Sequence, residues 1–451
     1  MFLFSVLLVG ALRRRSISCH HTFFGRPCLF GLAALAFAEV IIAGPALAED
    51  GAFADKLTGQ WGGIRTTLKA HGVDFQVNDQ NEFWGVPVGG SQPSNNYVGM
   101  TTATLSLDLR RMTGLKLGTF SISGVDIRGR PFSNQPLYVF NQVSGIEADD
   151  NLRLYELAYD QTFDHDRVDV RIGKLDLSRD FMGSDTAQTF LNASFSWPMV
   201  PDNNLYDQGP SSPLATPAVR VKYHPDDHWT VLASVGDDNP IGAGFINEND
   251  PWNQNQDPGG TRFHFGTGAL MFLEAQYRTQ APVYAGTFKL GGYGDTGRFP
   301  DQATLEMRHK GNWALYAVAD QVIAKLPGRE TISAFARGTG TAEADRNQIV
   351  YSVDAGLVLN APFQRADDSL GLGFGVGAPS KILARSERRS HEIAQGNEYH
   401  LELTYQWQAC PWLLVQPDIQ GILSPSGGVV GDNGRRVKDE AIFGLHSSVD
   451  F

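Results

Sequence analysis

The chain has 451 residues, 37 Lys and Arg against 49 Asp and Glu, and a formal net charge of −12. An acidic chain is a poor partner for nucleic acid, whose phosphates attract the opposite sign. Mean hydropathy is below zero, and beyond residue 48 no run of 18 or more apolar residues could cross a bilayer as a helix. Spanning strands escape that test, because they show lipid only every second side chain.

Residues 1–48 read as an export signal. Arg13, Arg14, Arg15 and Arg26 precede the apolar run 29–38, and Ala46-Leu47-Ala48 supplies small residues for cleavage before Glu49. Met1 to Leu12 is apolar ahead of the arginines, and Glu39 interrupts the apolar stretch. Both features fit a start placed too far upstream; a retained anchor is the alternative. Removing the segment takes four Arg and one Glu and leaves 33 basic and 48 acidic residues, a charge of −15. Cys19 and Cys28 go with it. Cys410 alone then remains, which excludes an internal disulfide and a thiolate zinc site.

A short helix is expected next, with Thr58 as N-cap, Ile64 and Leu68 four apart, and Gly72 in the left-handed C-terminal position. From residue 73 the period changes to two. Val73, Phe75 and Val77 alternate with Asp74, Gln76 and Asn78, and the same pattern returns at Tyr155, Leu157, Tyr159 and at Tyr399, Leu401, Leu403, Tyr405, Trp407. It ends on Phe443, Leu445, Ser447, Val449 and the terminal Phe451. One apolar and one polar face is the signature of a strand between two media.

Sixteen such segments follow in order: 73–84, 101–111, 116–127, 152–162, 167–177, 216–224, 228–236, 267–278, 284–294, 303–310, 313–323, 346–359, 370–378, 397–408, 412–421 and 440–451. Alternation is mixed in 303–310 and 313–323. Turn-forming residues close some links tightly, at Thr113-Gly114, 164–166, 225–227, Gly311-Asn312 and 409–411; others are long and polar, such as 128–151, 178–215 and 237–266. Short turns on one side and long loops on the other is the rhythm of a transmembrane barrel. A soluble β-sandwich would use fewer strands and less regular links. The predicted fold class is therefore all-β: a sixteen-stranded antiparallel transmembrane β-barrel over 73–451, preceded by a periplasmic segment at 49–72 with its short helix. Lipid cannot satisfy an open sheet edge, so the sheet must close. A closed sheet of this size leaves an aqueous channel.

The polar faces then line the channel. Alternation changes phase at Gly173, which predicts a bulge placing Lys174, Asp176, Ser178 and Asp180 on the pore side. The 178–215 link is too long to be idle and is assigned to the constriction by analogy with general porins. Arg171, Lys174, Asp176, Arg220 and Lys222 are the wall residues expected to meet it, with Arg179, Glu82 and Glu274 as partners. Mixed signs suit the hydroxyls of a neutral polyol, whereas one sign would favour ions; a salt-bridge network that only satisfies buried charge is the alternative for each residue. Trp84 is expected to face inward as a stacking surface, or to sit at the membrane interface. No catalytic motif stands out, so no enzyme activity, metal or cofactor is expected. A barrel enzyme using a Ser and a His is the remaining enzymatic alternative.

Several stretches carry a family likeness. Leu57-Thr58-Gly59-Gln60-Trp61-Gly62-Gly63-Ile64-Arg65 resembles the N-terminal signature of the carbohydrate-selective porins of the OprB type. The likeness continues through Arg153-Leu154-Tyr155-Glu156-Leu157, the 171–180 stretch, Pro217-Ala218-Val219-Arg220-Val221-Lys222-Tyr223, Pro411-Trp412-Leu413 and Gln416-Pro417-Asp418-Ile419-Gln420. Pro217-Ala218 departs from the glycine often found there. The resemblance implies a sixteen-strand porin in the Gram-negative outer membrane that passes mono- and oligosaccharides passively. A general or polyol-selective pore is the alternative. It also implies outer-membrane lipid and the barrel-assembly machinery as partners. The machinery would read the terminal aromatic Phe451. Homo-oligomerisation is left open.

Overall fold

The computed structural model describes residues 55–242, 257–263, 265–281, 283–390, 392–431 and 434–451; the expected export signal lies outside them. A helix, α1 (Ile64–Ala70), follows a single 3-10 turn at Trp61–Gly63. Thr58 does not cap it. Its hydroxyl accepts the Trp61 indole N–H at 3.1 Å, and left-handed Gly63 takes the N-cap position. Gly72 has φ +88°, as expected, and a Cβ there would meet the Asp108 carbonyl at 2.7 Å.

Sixteen strands follow: β1 (Val73–Gly90), β2 (Ser94–Asp108), β3 (Thr119–Gly129), β4 (Asn151–Phe163), β5 (Val168–Leu175), β6 (Thr216–Tyr223), β7 (Trp229–Asp237), β8 (Ala269–Thr279), β9 (Gly286–Pro300), β10 (Met307–Lys325), β11 (Thr331–Gly340), β12 (Ile349–Asn360), β13 (Ser369–Pro379), β14 (Glu398–Cys410), β15 (Leu413–Leu423) and β16 (Lys438–Asp450). Each pairs antiparallel with its sequence neighbours, and β1 pairs with β16 to close the barrel. The turns on the side of both chain ends are short, and the long 130–150 and 176–215 links lie on the other.

The strand number matches the expectation, but the assignment behind it needs three corrections. The segments 303–310 and 313–323 are one strand, β10, and Gly311-Asn312 is a register irregularity rather than a turn. Meanwhile β11 lies in what read as a link. Both have the same cause. Ala314, Tyr316 and Val318 of β10 and Phe335 of β11 are apolar and buried inside the barrel, so the alternation that marks a strand between water and lipid is erased. The 85–100 link is likewise strand: β1 and β2 run on to a tight turn at 91–93, with Trp84, Val86 and Val98 buried on their inner face.

The interior is filled by loops. In the 176–215 loop, Phe181, Met182, Trp197, Met199 and Leu205 form one core with Leu232, Phe272, Tyr293, Tyr316 and Val318 of the facing wall. A second core joins Phe132, Leu137 and Val143 of the 130–150 loop to Trp84, Val98, Val125 and Ile127. Burying a side chain of this size contributes roughly 1.5–3 kcal/mol, which is why these long loops hold fixed positions inside a wet barrel.

Chain closure uses the last residue. The Phe451 N–H donates to the Val77 carbonyl at 2.9 Å, and its own carbonyl accepts Arg65 at 2.9 Å. Deleting Phe451 removes both bonds and leaves the channel wall intact. Heat-modifiable electrophoresis of outer membranes is expected to show a several-fold loss of folded protein. A normal folded yield would mean that the terminal aromatic has no part in assembly.

Candidate functional site

The predicted polar residues converge where β4, β5 and β6 meet the start of the 176–215 loop. Glu156 of β4 is the hub. Its Oε1 accepts Arg171 at 3.2 Å and the Asp176 N–H at 3.1 Å, and its Oε2 accepts Arg179 at 2.6 Å. Arg171 also lies 3.6 Å from Asp160. Arg220 bonds to Asp169 and meets Asp180 of the loop at 3.2 Å. The Asp176 side chain caps the turn at Leu177–Arg179 by accepting the Ser178 N–H at 2.9 Å, and the Tyr155 hydroxyl donates to its other oxygen. Arg179 lies 5.8 Å from the Tyr155 ring and stays 54% exposed, so its donors remain open to water.

Local folding explains the convergence. The bulge predicted at Gly173 is absent: β5 pairs without a shift on both sides. Gly173, at φ +148°, instead permits close approach to β4, since a Cβ there would lie 1.9 Å from the Leu157 carbonyl. The irregularity lies on β4, where Ser123 pairs with Glu156 and Gly124 with Leu154. Tyr155 is therefore the unpaired extra residue, and it turns inward with Glu156 rather than joining the outer aromatic girdle.

The remaining predicted residues go elsewhere. Lys222 is half-buried on β6, level with Asp169. Lys174 is buried beneath residues 257–263, with its ammonium on the Gly260 carbonyl and 4.0 Å from Asp257. Glu274 accepts the Met182 N–H at 3.0 Å and the Tyr316 hydroxyl at 2.7 Å, so it holds the 176–215 loop in place. Glu82 lies apart from this group and bonds to His446 at 2.9 Å and the Trp84 indole at 2.8 Å. Trp84 faces inward but is 2% exposed against Phe132, so neither ring face is open to the channel.

Sequence reading missed the hub. Glu156 and Tyr155 stood in the Arg-Leu-Tyr-Glu-Leu stretch and were the available signal. It also missed how the wall anchors the loops. Glu402 accepts the Leu191 and Asn192 N–H groups at 2.6 and 3.0 Å. Asp320 accepts the Thr186 N–H at 2.9 Å, and Glu398 accepts the Phe140 N–H at 2.9 Å. Arg337 reaches the Met182 and Ser194 carbonyls. Beyond the strands, burial pushes the Glu147 carboxyl up to about 7, against hydrogen bonds from Ser133 and the Phe132 N–H. On the long-loop side a cavity of about 330 Å³ is lined by side chains including Asn134, Asn141, Gln142, Asn203, Gln208 and Gln348. Amides offer both donors and acceptors to a hydroxylated solute.

A closed sixteen-strand barrel, apolar outside and carrying a polar, loop-narrowed interior, defines an outer-membrane porin. The comparisons give the family. A model of the carbohydrate-selective porins, OprB family, matches residues 92–451, and the chain belongs to that family. It is 24% identical to Porin B of Pseudomonas aeruginosa over 450 residues, covering 90% of this chain and 94% of that protein. It is 22% identical to the putative porin QuiX of Acinetobacter baylyi over 424 residues, covering 88% and 93% respectively. The high-pH structure of Pseudomonas putida OprB superposes with a TM-score of 0.76 at 23% identity, covering 89% of this chain and all of that one.

Proposed function

We propose that neutral mono- and oligosaccharides cross this channel passively, without chemical turnover, and that the constriction is the group around Glu156. The observation that carries the reading is the mixed-sign row Arg179–Glu156–Arg171–Asp160, bonded within itself yet with Arg179 still open to water. Such a row offers a sugar hydroxyl a donor and an acceptor a few ångströms apart. Each such bond replaces one to water and gains only about 0.5–1.5 kcal/mol, weak enough for the solute to leave again. Arg220, Asp176 and Lys222 flank the row. Lys174 and Glu274 act by holding loops, and Glu82 ties β1 to β16 through His446.

Liposomes carrying the purified protein test this. Neutral hexoses and disaccharides are expected to drive swelling faster than charged solutes of equal size, and glucose is expected to reduce the ion current partly. Equal rates for every solute of a given size would indicate a general pore. No current would indicate a plugged barrel, and chemical change of the sugar would indicate an enzyme.

A further inference from the structure

The cavity on the long-loop side carries more polar groups than its loops use. Its walls come from the 130–150 loop, the 176–215 loop, Gln348 just before β12 and Ser426 between β15 and β16. Part of the lining is committed to holding the two long loops together. The Asn203 amide donates to the Phe140 and Met199 carbonyls at 2.9 and 3.0 Å, and Gln142 donates to Gln208 at 3.4 Å.

The rest is left over. Asp202 is 8% exposed, and its carboxyl meets only the Asn203 amide, at 3.5 Å. With no charge beside it, burial holds that carboxyl well above the usual carboxylate range, so it can donate as well as accept. Asn141 is 4% exposed. Its amide nitrogen donates to the Trp197 carbonyl at 3.3 Å, and its oxygen has no partner. The carboxamides of Asn134 and Gln348 have no partner among the described residues. Buried polar groups left unpaired cost free energy, so an occupant that pairs them is favoured.

We propose that this cavity is a binding site for one neutral monosaccharide, filled from the long-loop side ahead of the Glu156 constriction and distinct from it. The inference rests on the sugar-channel reading above. A volume of about 330 Å³ suits a small molecule. The unpaired groups are an amide oxygen, a carboxyl and two whole carboxamides, a mixture of acceptors and donors that sugar hydroxyls can pair throughout. No Lys, Arg or His stands among the described lining residues. A carboxylated sugar therefore finds no counter-charge here, although Arg179 offers one in the constriction. The two sites adjoin. Gln208 of the lining stands two residues before Pro210, whose carbonyl accepts the Leu177 and Ser178 N–H groups at 2.9 and 3.2 Å beneath Arg179.

The test adds solute to one side of channels held in planar bilayers in a single orientation. A site near one mouth fills from that side, so glucose on the long-loop side is expected to block the current at a several-fold lower concentration than glucose on the other side. Gluconate is expected to show no such preference. Asn134→Ala combined with Gln348→Ala removes two groups that hold no loop; folded migration is expected to stay normal while the side preference disappears. Asp202→Leu is expected to act alike, and Glu156→Gln is expected to keep the preference. A Gln142→Cys reporter in a Cys410→Ser background reads occupancy directly: glucose is expected to slow its reaction with a membrane-impermeant maleimide several-fold, and gluconate is not. Equal glucose block from both sides, a preference unmoved by the cavity variants, or equal protection by gluconate overturns this site and leaves the sugar channel standing. Block from neither side overturns both.

Discussion

Arg337→Ala is expected to lower the unfolding temperature of the barrel and to raise its conductance together. Arg337 is fully buried on β11, directly across from Asp354 of β12. Its guanidinium lies 3.1 Å from the Asp354 carboxylate and 3.1 Å from the Met182 carbonyl, and it also bonds the Ser194 carbonyl. It therefore fastens two points of the 176–215 loop to the wall. Truncation leaves Asp354 buried without its partner, which costs about 3–5 kcal/mol. His400 still bonds to the Ser194 hydroxyl at 2.7 Å and Glu274 still accepts the Met182 N–H at 3.0 Å, so the loop is loosened rather than released. Heat-modifiable electrophoresis reads the stability, and planar-bilayer recording reads the loop as larger, noisier single-channel currents. Removing Asp354 as well, as Arg337→Ala with Asp354→Ala, should recover part of the stability but not the quiet current. A variant that melts and conducts like the parent would mean that Arg337 fastens nothing.

Glu156→Gln is expected to shift the channel toward anions. Glutamine keeps the shape and an acceptor, so folded yield should stay near normal. The charge is lost, and Arg171 and Arg179 then stand against one carboxylate fewer. In a wet lumen the change is worth about 1 kcal/mol for a passing ion at a distance of several ångströms, with opposite sign for cations and anions, so their permeability ratio shifts by about 2 kcal/mol, or roughly thirty-fold. The reversal potential under a salt gradient measures this. Glucose block should weaken in the same variant, because an acceptor beside two donors has lost its charge. Leu157→Ala, one residue away on the other face of β4, should leave both readings unchanged and lower the folded yield. If Glu156→Gln leaves the reversal potential and the sugar block as they were, ions and sugars pass elsewhere.

The two variants differ in how far the sequence announces them. Glu156 and Arg171 lie 15 residues apart on a predicted hairpin, and Arg179 opens the long loop that follows. A polar inner face and a short turn nearly suffice to bring them together. Arg337 and Ser194 lie 143 residues apart, and β11 itself reads as a link. After Ile332 its outer positions, Ala334, Ala336, Gly338 and Gly340, are small, and its inner positions Phe335 and Arg337 face a loop rather than water. Lys174 shows the opposite case: the period of two directs it to the lumen, and Asp257 and Gly260 take its ammonium instead.

The period of two, the turn residues and the terminal aromatic are local properties, and they decided the barrel class, the closure and the side on which the long loops lie. Lipid on one face and water on the other write themselves into every second residue. What the loops do inside the barrel is not local. Once the 176–215 loop fills the lumen beside β7 to β11, the inner face stops being water-facing and the code that marks a strand fails there. Only the tertiary structure decided that β10 is one strand, that Tyr155 turns inward at a bulge and that wall carboxylates hold loop amides. These outcomes depend on contacts between residues far apart in sequence, and on which polar groups find partners once water is excluded.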